Sequence, residues 1–102
     1  MRLDTWVSRR AFFARLRKEG FERAPMDLTK GATTYRRGRC MVAIGAGENP
    51  DAVIITGGPP EWPKILRWRD VAPTALELGL VSLLDLTLAL IRGQIEIRKR
   101  PV

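Results

Sequence analysis

Cys40 stands among Arg36, Arg37 and Arg39, and this is the closest the chain comes to a provision for nucleophilic chemistry. Neighbouring guanidinium groups lower the pKa of an exposed thiol and raise its thiolate fraction. The chain has no histidine to act as the base and no second cysteine. The same absences remove the commonest metal ligand and the multi-cysteine zinc patterns. Alternation also turns Cys40 inward with Val42 and Ile44. The carboxylates are scattered, with no pair at a spacing that a helix or strand would bring together. A non-enzymatic protein without a metal or cofactor is expected.

The arginines carry a different chemistry. Eleven bases fall between Arg2 and Arg39 against four acids, whereas Met41 to Ile91 holds three bases and six acids; the last eleven residues are basic again. The formal charge of +7 is therefore zoned. Zoned charge bears on partners rather than on fold. Two groups stand out: Arg9, Arg10, Arg15, Arg17 and Lys18 on a first helix, and Arg36, Arg37 and Arg39 on a first strand. A planar guanidinium suits bidentate phosphate contacts. Tyr35 and Trp68, beside Arg37, Arg67 and Arg69, either serve as stacking platforms of the kind single-stranded nucleic acid favours or pack into the core, the reading favoured for Trp68. The predicted nucleic-acid contacts are Arg9, Arg10, Arg15, Arg36, Arg37 and Arg39, with Tyr35 stacking. A merely solvated basic surface, or one that meets an acidic protein, fits the same residues.

The glycine-rich stretches carry less. "GAGENPD" (45–51) lacks the following helix that a phosphate loop requires, and Glu48 and Asp51 would repel an anion; it reads as a hairpin connection. "TGGPPEWP" (56–63) either presents Trp62 to a partner from a proline-stiffened loop or lays it over the core.

The elements that position these residues follow from periodicity. A helix beginning near Asp4 or Ser8 ends at Gly20, with Phe21 folding back toward Leu16. Trp6, Phe13 and Leu16 lie near its core side, with Phe12 at the edge. "TTYRRGRCMVAIG" alternates as one strand, placing Cys40, Val42 and Ile44 opposite Tyr35, Arg37, Arg39 and Met41, with Gly38 as a turn or bulge. "AVIIT" gives a second strand and "KILRWRDV" a third. A leucine-rich helix then starts near Pro73 and runs to Gly93. "QIEIRKR" is a possible edge strand. The expected fold is α+β: one domain over residues 1–102 in α-β-β-β-α order, with an antiparallel three- to four-stranded sheet packed by two helices.

The second helix is apolar beyond what one sheet face demands, since Leu78, Val81 and Leu88 intrude into its polar sector. Either its own sheet and first helix wrap it, or the surplus meets a partner. Val81, Leu88 and Trp62 are the residues expected at such an interface, in a homodimer or in an accessory or inhibitor protein of a phage or other mobile element. The apolar run from Leu76 to Ile91 contains Glu77 and Asp85 and is shorter than a membrane span. No signal peptide is readable. A cytoplasmic location without membrane attachment is expected, and the composition argues against global disorder.

Two patterns resemble known families. The α-β-β-β-α order is similar to that of double-stranded RNA-binding domains, which place a lysine cluster at the start of the second helix. This chain reads "APTALELG" there, so that binding mode is not carried over. "LRKEGFE" leading into "KGATTYRRGRCMVAI" resembles HicA-type RNA-cleaving toxins. The histidine of those toxins is replaced by Ala32 after Gly31, so their catalysis is not carried over either.

Overall fold

The computed structural model describes residues 7–27, 31–58, 62 and 64–96. Asp4, Trp6 and most of "QIEIRKR" lie outside the described residues. Helix α1 (Arg9–Lys18) is followed by strands β1 (Glu22–Arg23), β2 (Thr33–Arg37), β3 (Cys40–Ile44), β4 (Ala52–Thr56) and β5 (Ile65–Arg67), then helices α2 (Trp68–Glu77) and α3 (Leu83–Ile91). The strands form one antiparallel meander in sequence order. The α+β class and the order of helix, antiparallel strands and closing helical segment agree with the sequence reading, with five strands and three helices as the detail.

Ser8 caps α1, its side chain accepting from the Ala11 amide at 3.1 Å. At the other end the Phe21 amide donates to the Leu16 carbonyl and the Gly20 amide to that of Arg17, the double bond of a glycine-terminated helix. Phe21 and Leu16 are both buried, as that cap requires.

"TTYRRGRCMVAIG" is a hairpin instead of one strand. Gly38 and Arg39 form a two-residue turn, and Gly38 has φ +59°, the glycine-first arrangement that suits the twist of paired strands. The turn changes the facing of everything before it. In the hairpin Tyr35 pairs with Val42 and Arg37 with Cys40, so Tyr35 and Arg37 share the core face with the residues that continuous alternation set against them. Along that face Tyr35, Val42, Ile44, Val53, Ile55 and Leu66 are buried.

The leucine-rich helix is divided. Gly79, at φ +81°, ends α2, with the Leu80 amide donating to the Ala75 carbonyl. Three residues later Ser82 caps α3, accepting from the Asp85 amide at 3.2 Å while its hydroxyl donates to Asp85 Oδ2 at 3.0 Å. A serine cap with an acid in the first turn is a favourable helix start,. Helix α2 also begins earlier than expected, at Trp68, where the backbone leaves β5 with the Trp68 amide held by the Asp51 carbonyl at 2.9 Å. Pro73 is thus inside α2, and Trp68 is a half-buried residue of its first turn.

Every residue of α3 is buried, including Asp85 and Thr87. Phe12 and Leu16 of α1 complete the same core. No helix among the described residues is long and apolar enough to cross a membrane.

Candidate functional site

Helix α1 runs alongside β2 in the same direction, and the two advance in step. Four helical residues rise about 6 Å and two strand residues about 6.6 Å, so contacts recur. Arg9 donates to Thr33 Oγ1 at 3.2 Å. One step on, Phe13 stacks on Tyr35 with ring centroids 5.0 Å apart and planes 14° from parallel. Arg17 then donates to the Tyr35 hydroxyl at 2.8 Å and lies 5.6 Å from its ring centre. Arg9 sits 5.0 Å over Phe13, so Arg9, Phe13, Tyr35 and Arg17 form one continuous chain of cation and ring contacts. At the far end Arg37 lies 4.7 Å over Phe21 and donates to the Glu19 carbonyl at 2.6 Å.

This arrangement corrects part of the expected phosphate set. Tyr35 is only 3% exposed, and with its ring against Phe13 it offers no platform to a base. Arg9 is spent internally: besides Thr33 it holds the Gly45 carbonyl at 2.6 Å and the Gly47 carbonyl at 3.1 Å. Its own amide, at the start of α1, meets Glu48 Oε2 at 3.0 Å, a carboxylate placed where a helix dipole favours one. The "GAGENPD" segment therefore joins β3 to β4 and anchors α1. Arg37, although solvent-accessible, is tied across Phe21 to the helix end.

Arg15 is half-buried and faces a small cavity shared with Arg92, Asp85, Leu80, Leu88 and Gln94. Two guanidinium-bearing residues around a buried carboxylate reduce the cost of burying it. Arg92 also reaches Glu19 Oε1 at 3.2 Å. Arg10, Arg36 and Arg39 are exposed. Arg39 lies in the β2–β3 turn, and Arg36 points from the opposite face of the sheet, across from Glu22 on β1.

The structure thus brings the last turn of α1, with Arg17 and Lys18, to the same end of the molecule as the β2–β3 turn with Arg39; the Arg37 side chain bridges the two. Lys18 is exposed there. The acids at this end are Glu19, held by Arg92, and Glu22, beside Arg36. Juxtaposition of these basic segments was not legible in the sequence, because it depends on the direction in which α1 crosses the sheet.

Of the expected partner residues, Leu88 is buried in α3 and is no interface residue of the folded chain. The wheel that placed it outward ran across Gly79 as though the helix were continuous. Trp62 is half-buried against the core, its ring so close over Gly58 that a Cβ there would overlap it. Val81 is 50% exposed, joined by Leu76 and Leu78 around the α2–α3 connection. Cys40 is buried, and desolvation pushes its thiol pKa up, with Arg37 only partly opposing. That is the reverse of an activated nucleophile.

An open depression of about 460 Å³ on the outer sheet face is lined by small residues, among them Ala32, Ala43, Gly45 and Ala52. Asp51 is its only charged lining residue among those described. No group of acids and cysteine able to hold a metal occurs among the described residues. No protein-family model, curated protein or solved structure matches the chain.

Proposed function

We propose that this protein is a non-enzymatic binding module that holds nucleic-acid phosphates on its cationic end. The observation that carries the reading is the meeting of the α1 C-terminal turn with the β2–β3 turn, where Lys18 and Arg39 are exposed with Arg17 beside them and Arg36 on the opposite sheet face. Arg10 extends the charge along the helix. Arg9, Arg37 and Tyr35 support this surface from beneath, by fixing α1 on the sheet, instead of touching the ligand. Phosphate contacts of this kind fix position without reading sequence.

The test is a titration of labelled mixed-sequence DNA and RNA at about 50 and about 200 mM salt. About four phosphate contacts would lower affinity by about a hundredfold across that range. Replacing Lys18 and Arg39 together by Ala should reduce the salt slope by about two. A double variant with wild-type affinity and slope would place the site elsewhere, and no binding at the lower salt would reject the reading.

A second reading, a protein-interaction or assembly role, has its own observation. Leu76, Leu78 and Val81 are exposed together where α2 meets α3, and apolar side chains gathered in this way commonly mark a contact surface. Under that reading the partner is a second copy or another protein, and the cationic end keeps the assembly soluble.

A further inference from the structure

We infer, on the basis of the phosphate-binding reading above, that the ligand is the backbone of duplex DNA and not a single strand. Single-strand binders draw much of their affinity from bases stacked on exposed aromatic rings. No aromatic residue among those described is exposed. Phe12 and Phe21 are buried, Phe13 and Tyr35 face each other, and Trp62 lies on Gly58. Cations cover further faces, with Arg9 over Phe13, Arg17 over Tyr35 and Arg37 over Phe21. A flexible strand would find charge here and, among the described residues, no exposed ring on which to stack.

The outward stripe of α1 suits a rigid double row of phosphates. Arg10, Ala14, Arg17 and Lys18 are its exposed residues, and the helical rise sets Arg10 and Lys18 about 12 Å apart. The major groove of B-form DNA is about 12 Å wide, so the two ends of the stripe meet phosphates on opposite rims. Ala14, small and exposed midway, lets the helix approach closely. Arginine can also read guanine, but here the exposed cations stand at the two ends of the stripe, on the rims, with Ala14 between them facing the groove floor. Double-stranded RNA, whose major groove is deep and narrow, does not admit a helix in this way. Binding is therefore to the DNA backbone and independent of sequence.

The experiment compares labelled duplex DNA, its single strands and duplex RNA, each about 20 nucleotides long, at about 100 mM salt, using two unrelated sequences. Duplex DNA is expected to bind at least about tenfold more tightly than either competitor, and equally for both sequences. Ala14→Glu, with an unchanged melting midpoint, is expected to weaken duplex binding by about tenfold or more. Single strands or duplex RNA binding as tightly as duplex DNA would overturn the inference and leave the phosphate reading standing. An Ala14→Glu variant with unchanged affinity would overturn the placement of the duplex on α1. Absence of binding to all three would remove the phosphate reading and the inference together.

Discussion

Tyr35 receives a hydrogen bond from Arg17 on its hydroxyl and the ring of Phe13 on its face, so its two contributions separate by substitution. Tyr35→Phe keeps the stack and loses the acceptor. A loss of about 1 kcal/mol in urea denaturation is expected, that of an ordinary hydrogen bond and less than a buried charged donor gives, because Arg17 is exposed,. An unchanged midpoint would mean that Arg17 finds water as good a partner. Cys40 offers a second test at this scale. Its thiol pKa is raised above the ordinary 9.0 by burial, so alkylation near pH 8 should be slower than for a free thiol. The native state keeps this proton to higher pH than the unfolded chain does, so stability from this group is full below about pH 9 and declines as pH rises through and beyond that value,. Rapid alkylation near pH 8 by the folded protein would contradict the burial.

At the scale of elements, what the sequence made legible and what it hid have the same origin, local chain chemistry. The glycine end at Gly20, the cap at Ser8 and the β-branched strand at 52–56 follow from nearest neighbours, and each is found. Gly38 is legible as a turn or bulge, but the facing is not: alternation continues unbroken through it, and one turn reverses which of the preceding side chains face inward. The stop at Gly79 and restart at Ser82 were present as a glycine followed by a serine with an acid three residues on. Leucines on both sides of the break kept the apolar pattern alive and masked it. Gly57 is the element junction least able to change. It has φ +71°, and a Cβ there would run into the Arg39 carbonyl. Gly57→Ala should therefore cost at least about 2 kcal/mol, combining left-handed strain with displacement of the β2–β3 turn. A variant within about 0.5 kcal/mol of wild type would show that the turn yields freely.

For the whole molecule, the burial of α3 separates residues that once looked alike. Leu88→Asp places a charge in the core and should abolish cooperative folding, whereas Val81→Asp, at a half-exposed site, should leave the melting midpoint within a few degrees. Light scattering on the Val81→Asp protein then decides the assembly reading: a smaller mass than wild type supports contact through the α2–α3 ridge, and an identical mass withdraws self-association there. The candidate phosphate surface was legible only in part. The bases were countable, but which of them remain available depended on rings that the hairpin turned inward.

The meander has one more consequence, for the order in which the chain assembles. Each strand pairs with its sequence neighbour, so every strand pairing is local in the chain, and local pairing of this kind favours rapid folding. Contacts of α1 are longer in range, Arg9 reaching Gly45 and Glu48, and the docking of α3 against α1 spans more, joining Arg92 to Glu19 across 73 residues. If that docking follows the rate-limiting step, weakening the α1–α3 contact hastens unfolding while scarcely slowing folding. The lifetime of the cationic end, of which Glu19 is part, is then governed by the last helix to arrive.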